Sequence, residues 1–227
     1  MALVVKPNSY QNKKIKGDPN YFTKEIQHYF YALTALPDPW NLFLWEDEIA
    51  REWCIAEFSE RVSQPPANPG TAWQIRAGVW APFLVEGKFD YSYAERLHYN
   101  NNLNRIVEEL GTNSDTRQAW LPIFNPDDVQ HMGGKKRIPC SLGYHFMIRN
   151  GELSMTYIQR SADYFQHFGN DIYLAWLMLD YVHQLLLHGF ELKVERGYLF
   201  HHIFSLHSYA KDWPKLAEGI SKLSKHS

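Results

Sequence analysis

Residues 142–159 read LGYHFMIRNGELSMTYIQ. The Asn150-Gly151 pair at their centre is the strongest short signal for a tight β-hairpin. Leu142 to Ile148 and Leu153 to Gln159 therefore read as two paired strands. Downstream, Ile172 to Leu187 carries too few polar residues for a surface helix, so it is expected buried. Gly197 to Ser205 is again strand-like. Upstream, Ala119 to Phe124 reads as an apolar strand, and a loop from Asn125 to Arg137 joins it to the hairpin.

Further upstream, Asn101 to Leu110 puts Leu103, Ile106, Val107 and Leu110 on one side of a helix, which Gly111 is expected to close. Glu46 to Val62 reads as another helix, followed by a firm break at Pro65-Pro66-Ala67-Asn68-Pro69-Gly70. Tyr21 to Leu36 has Phe22, Ile26, Tyr29, Phe30 and Leu33 at roughly helical spacing. A helix ended by Pro37 and Pro39 is the reading there. Residues 1–20 read as a flexible arm, punctuated by Pro7, Gly17 and Pro19. Helices and strands alternate without regular βαβ repetition. The expected class is α/β of the α+β kind, a mixed, largely antiparallel sheet with flanking helices, in a single domain over 1–227.

The 227 residues suffice for one sizeable core, and 45% hydrophobic with 21% charged residues is ordinary globular composition. Aromatics at 15% suit a filled core, a planar-ligand site, or both. A formal net charge of −2 supplies no positive field, so direct nucleic-acid binding is not expected. Two cysteines, Cys54 and Cys140, are too few for a disulfide framework and point to a reducing compartment. Met1 to Val5 is too short for a signal peptide, and no uncharged apolar run reaches membrane-spanning length. A cytoplasmic protein is expected, with no membrane partner and no metal.

The chemistry gathers around Arg137-Ile138-Pro139-Cys140. An isolated cysteine is usually a small buried hydrophobe. Here the basic run Lys135-Lys136-Arg137 precedes it, a setting that favours a thiolate. After the hairpin comes Gln159-Arg160-Ser161-Ala162-Asp163, then a helix start at Gly169-Asn170-Asp171, and later His207-Ser208-Tyr209. In this order and spacing the motifs resemble the thymidylate synthase family. Asp115-Thr116-Arg117 is similar to that family's Asp-Ser-Arg-Arg, with Gln118 in place of the second arginine. The firm resemblance runs from about Asn101 to Trp213, and the first hundred residues match only loosely.

The resemblance implies roles. Cys140 matches the nucleophile that adds at C6 of a pyrimidine and makes C5 nucleophilic. Methylenetetrahydrofolate is the implied one-carbon donor. Asp163 matches the acid that holds its pterin ring, and Trp80 is a further candidate for lining that site. The bland reading of Asp163 is a helix cap. Arg160 and Ser161 match the phosphate-binding pair, a task suited to the planar arginine fork. Arg117 matches an arginine given across a two-fold interface to the neighbouring subunit, so a homodimer is implied. His207 and Tyr209 match residues that bond the sugar 3′-hydroxyl. Glu57, on an apolar helix stretch where a carboxylate needs a reason to be present, is the chosen general acid/base, with Glu60 its rival. Tyr93 is expected near the thiol.

Asp171 bears on the substrate. Thymidylate synthases carry asparagine there, whose amide matches O4 and N3–H of uracil. A carboxylate instead accepts from N4–H of cytosine. Asp171 is thus similar to the deoxycytidylate 5-hydroxymethylases of the family, with the adjacent Asn170 as the rival in register. Ser141 follows the nucleophile where thymidylate synthases have histidine. The sequence ends at Lys225-His226-Ser227 without an apolar tail to close over folate. Both features favour water over hydride as the group that completes the product. The expected activity is hydroxymethylation of dCMP, in a bacterium or a phage-infected host. The alternatives are a (d)CMP 5-methyltransferase, a thymidylate synthase acting on dUMP, or a non-catalytic nucleotide-binding member.

Overall fold

The computed structural model describes residues 3–5, 17–35, 48–134 and 136–223. Its strands are β1 (Leu3–Val5), β2 (Thr23–Leu33), β3 (Trp120–Pro122), β4 (Ser141–Arg149), β5 (Glu152–Gln159), β6 (Ala162–Asp163) and β7 (Glu195–Tyr209). Its helices are α1 (Glu48–Val62), α2 (Ala77–Trp80), α3 (Tyr93–His98), α4 (Asn102–Thr112), α5 (Phe168–Gly189) and α6 (Trp213–Leu223).

The hairpin forms where the Asn-Gly pair puts it. Asn150 and Gly151 both have positive φ, 53° and 77°, the backbone that a two-residue type I′ turn requires. Around it the strands build one seven-stranded sheet in the order β1-β2-β7-β5-β4-β3, with β6 also paired to β7. The β5–β7 and β6–β7 pairs are parallel and the others antiparallel, so the sheet is mixed and largely antiparallel. One face buries Tyr144, Phe146, Leu153, Met155 and Leu199 against Ala175, Met178, Leu179 and Val182 of α5 and against Leu103 and Leu110 of α4. The long apolar helix is the core helix its composition called for. No helix among the described residues is long and apolar enough to cross a membrane.

The largest departure from the sequence reading lies at Tyr21–Leu36. Thr23–Leu33 is a strand, paired antiparallel with β7 from Thr23↔Tyr209 to Leu33↔Leu199. A helix would have buried the apolar stripe, whereas Ile26 and Phe30 are 47% and 56% exposed. The stretch is rich in aromatic and β-branched residues, which favour a pleated surface, and the fifteen-residue β7 supplies the ladder. Within the stretch read as an arm, Leu3–Val5 pair with β2 and Pro19–Tyr21 form a short 3-10 turn capped by Asp18. The proposed starts at 46 and 47 of α1 lie outside the described residues, as do Pro37, Pro39 and the chain end at 224–227. Gly111 does not close α4, which runs on to Thr112 with Asn113 as its cap. Glycine is needed there for another reason, because a β-carbon would run into the Phe190 ring.

The second face of the sheet bears aromatics. Phe30 stacks on Phe200 at 6.1 Å, Tyr198 on Phe200 at 5.4 Å, and His202 meets Phe204 at 5.0 Å. Tyr198 and Phe204 are exposed, and so is Trp120 on β3.

Candidate active site

Cys140 immediately precedes β4, and the end of β5 returns beside it. The Arg160 amide donates to the Cys140 carbonyl at 2.8 Å. The Arg160 side chain is anchored by Nε to the Pro139 carbonyl at 2.9 Å and by Nη2 to the Ile138 carbonyl at 3.0 Å. Nη2 and the Ser161 hydroxyl also donate toward Cys140 Sγ, at 3.7 and 3.5 Å. Three of the motif residues thus meet around one sulfur. Of the basic run, Lys135 lies outside the described residues. The Arg137 guanidinium lies 4.1 Å from the Phe83 ring centroid and 5.5 Å from that of Trp80, packed on aromatic faces.

Ser141 points into the core. Its hydroxyl joins those of Tyr93 at 3.1 Å and Tyr157 at 2.5 Å. Tyr93 therefore sits next to the nucleophile's neighbour. Burial, with the charges of Cys140 and Asp171 adding, pushes its phenol up to about 12. Asp171, in the first turn of α5, accepts from Gln159 Nε2 at 3.0 Å. Burial pushes its carboxyl up to about 6, against the Gln159 donor and the charge of Arg61. Asn170 is turned elsewhere. It is 3% exposed, its Oδ1 accepts from Cys54 Sγ at 3.5 Å, and its amide donates to the Gln166 carbonyl at 3.3 Å. Of the two neighbours, Asp171 is the one presented beside Gln159.

A cleft opens beside this cluster, lined by Trp53, Glu57, Arg61, Trp80, Tyr93 and Arg137 among others. Glu57 faces it and is paired with Arg61 at 2.9 Å, the two side chains 19% and 8% exposed. The Arg61 guanidinium lies 3.9 Å from the Tyr93 ring centroid, which links Glu57 to the thiol side of the site. Glu60 does something different. Its Oε1 accepts from the backbone N–H groups of Thr71 and Ala72 and from the Thr71 hydroxyl, capping the 3-10 turn at 72–76. Trp80 stacks on Trp53 at 5.5 Å and 22°. Both indole Nε1 atoms are buried without a partner, two donors available to a bound acceptor.

Asp163 Oδ1 accepts from the backbone N–H groups of Phe165 and Gln166 at 3.0 and 3.2 Å. It caps a turn ahead of α5, whose own N-cap position is His167. Burial pushes the Asp163 carboxyl up to about 6, against those two hydrogen bonds. Asp163 pairs with His207 across β6 and β7. Burial lowers His207, with the charge of Arg160 lowering it further, and its ring meets Tyr209 at 5.4 Å. Arg117 is exposed and stands apart from these groups, its carbonyl accepting from His145 at 3.1 Å. Residues unremarked in the sequence also belong here: Arg61 beside Glu57, and His201 and Tyr31 behind Gln159. Only Gln159 was inside a recognised motif. Among the described residues no group of His, Cys, Asp and Glu is arranged to hold a metal ion.

Comparison with known proteins gives the family and the fold. By fold, the chain is similar to the thermostable thymidylate synthase A from Bacillus subtilis, with a TM-score of 0.70 over 88% of this chain and 71% of that one. At 14% identity this speaks to the fold alone. By sequence, it is 28% identical over 165 residues to a Methanosarcina acetivorans protein provisionally named a thymidylate synthase, covering 67% of this chain and 70% of that protein. It is 30% identical over 152 residues to the deoxyuridylate hydroxymethyltransferase of Bacillus phage SP01, covering 60% of this chain and 38% of the phage protein. The thymidylate synthase family model matches residues 59–227. The class so defined is that of one-carbon transferases that bind a pyrimidine nucleotide and use methylenetetrahydrofolate as donor. The chain belongs to the thymidylate synthase family.

Proposed function

We propose that the protein is a pyrimidine nucleotide C5 transferase that hydroxymethylates dCMP. The observation that carries this reading is the carboxylate of Asp171, which accepts from Gln159; by the family resemblance, thymidylate synthases carry asparagine in its place. Arg160 and Ser161 receive the phosphate, and His207 and Tyr209 the sugar. The sulfur of Cys140 adds to C6, and the electron pair of the C5–C6 bond becomes available at C5. Asp171 accepts from cytosine N4–H, and from N3–H when the ring is protonated as charge develops. Bound in the cleft, methylenetetrahydrofolate supplies a one-carbon unit at the oxidation level of formaldehyde. The unpartnered indole donors of Trp53 and Trp80 and the carboxyl of Asp163 fit a planar, polar-edged ligand of this kind. Glu57, steadied by Arg61, carries the proton leaving C5 by way of water. C5 bonds to that one-carbon unit, whose link to the folate nitrogen breaks so that tetrahydrofolate leaves. Water then adds to the exocyclic carbon and gives up a proton. The C5–C6 double bond is restored as the C6–S bond breaks, and the sulfur leaves as thiolate. The name of the phage relative and the serine at 141 support water as the final addend.

The working unit in this reading is a homodimer. The exposed Arg117 and the aromatic second face of the sheet support it. A second reading, hydroxymethylation of dUMP, is favoured by one observation besides the phage relative's name. With its carboxyl pushed up to about 6, Asp171 can carry a proton and then offers one donor and one acceptor, the pattern uracil needs.

The test is mass spectrometry of products from dCMP, CMP and dUMP, each with methylenetetrahydrofolate. A hydroxymethyl product from dCMP is expected. A methyl product from dCMP would overturn the water step. Turnover of dUMP alone would overturn the cytosine reading.

A further inference from the structure

Behind Asp171 a buried polar chain crosses the sheet. Gln159 is 1% exposed and His201 0%. Gln159 Nε2 is 3.0 Å from Asp171 Oδ2, Gln159 Oε1 is 2.8 Å from His201 Nε2, and His201 Nδ1 is 2.7 Å from the Tyr31 hydroxyl. His201 lies between Leu199 and Ile203 on the buried face of β7, where an aliphatic side chain would satisfy packing alone. An imidazole there needs partners for both nitrogens.

The joints interlock. A charged carboxylate only accepts, so Gln159 must turn its NH2 to Asp171 and its oxygen to His201. The imidazole proton then sits on Nε2, Nδ1 is an acceptor, and Tyr31 donates. Every donor points toward Asp171. In the opposite sense, Asp171 is protonated and donates to the Gln159 oxygen, and the imidazole proton sits on Nδ1 facing Tyr31. A mixture of the two senses leaves a buried group unpaired. Burial pushes His201 down to about 3, so the ring stays neutral with a single proton to place. The ring is fixed by stacking on Tyr157 at 4.6 Å and 22°. Burial raises the Tyr31 phenol too, which keeps its proton available to donate.

We propose that Tyr31 and His201 are positioning residues that set the hydrogen-bonding sense of Asp171 through the Gln159 amide, and thereby hold Asp171 as the charged acceptor that cytosine needs. The choice of base rests on the reading of Asp171 given under the proposed function. The relay itself does not. Other groups bear on Asp171 as well: Arg61 from α1, which favours its charge, Asp163, which opposes it, and the phenols of Tyr93 on α3, Tyr144 on β4 and Tyr157 on β5. Cys54 of α1 is near enough to feel its charge. None of these forms part of the relay, so variants at Tyr31 and His201 isolate it.

The experiment reads Asp171 directly, by carbon-13 NMR titration of aspartate carboxyls, with its resonance assigned by loss in Asp171→Asn. His201→Leu removes the donor to Gln159 and should move the Asp171 midpoint up by about one pH unit, a tenfold change in its ionisation. His201→Gln carries an amide nitrogen near the place of Nε2 and should restore most of the shift. Tyr31→Phe should move the midpoint part of the way. In step, the ratio of kcat/KM for dCMP over dUMP should fall by roughly tenfold in His201→Leu and recover in His201→Gln. An unchanged midpoint in folded His201→Leu overturns the proposal. If that variant does not fold, Tyr31→Phe decides, since it deletes one hydroxyl at a half-buried position, and an unchanged midpoint there overturns it equally. A wild-type protein that turns over neither nucleotide sinks the functional reading, while the carboxyl titration still decides the relay.

Discussion

A carboxyl with an ordinary value of 3.8 that burial pushes to about 6 holds a proton in the folded chain where the unfolded chain has lost it. Asp163 and Asp171 both do this. Between about pH 4 and pH 6 the native state binds the extra protons, so their contribution to stability falls as pH rises and levels off above 6. Asp171→Asn removes one such group. It should raise the urea unfolding free energy at pH 7.5 by on the order of 2 kcal/mol relative to the parent, with the gain vanishing near pH 4. The same substitution should move preference from dCMP toward dUMP by about 100-fold in kcat/KM. Below pH 6 the parent protein should itself turn over less dCMP relative to dUMP, as Asp171 gains its proton. Cys140→Ala should abolish release of tritium from C5, by at least about 1,000-fold, while nucleotide binding by calorimetry persists. At this scale the sequence was legible where chemistry repeats as a linear motif. Cys140, Arg160 and Ser161 were readable and are brought together around one sulfur. The relay was not readable, because Tyr31 and His201 are separated by 170 positions and meet only through strand pairing.

At the scale of elements, α1 presents two glutamates with different duties. Glu60 ties the end of α1 to the turn at 72–76 through backbone donors. Glu60→Ala should therefore lower stability by about 1–3 kcal/mol in a thermal melt and leave the chemical step largely intact. Glu57→Gln should do the reverse, cutting kcat by roughly 100-fold or more with a small change in melting temperature. Linear order does not separate them, since both lie on one helix and the partners of Glu60 sit beyond a proline-rich break. The hairpin and the long core helix were legible because a turn pair and a continuous apolar run are local signals. β2 was not. Its spaced apolar residues Ile26, Tyr29, Phe30 and Leu33 satisfy a helical period, and what decides for strand is β7, which lies far along the chain.

For the whole molecule, the sheet has a filled face and a bare aromatic one. If the bare face is the seam of a homodimer, Phe200→Asp should yield a monomer by sedimentation and lose activity, because the neighbour's Arg117 no longer reaches the phosphate. Mixing inactive Arg117→Ala and Cys140→Ala subunits should restore up to about a quarter of the parent activity, since one site of each hybrid is whole. Recovery of none would sink the shared-site reading. The fold class was legible from the order of elements, while the role of the second face depends on which aromatics of β2 and β7 alternate outward, and this became visible only once β2 was a strand.

The stacked indoles of Trp53 and Trp80 have a consequence of another kind. Chromophores with centroids 5.5 Å apart and planes inclined at 22° couple optically. The cleft thus carries its own reporter. Its exciton signature in circular dichroism should change as a ligand slides against the pair, and the emission maximum should move when either indole nitrogen acquires an acceptor, so occupancy can be followed without a label.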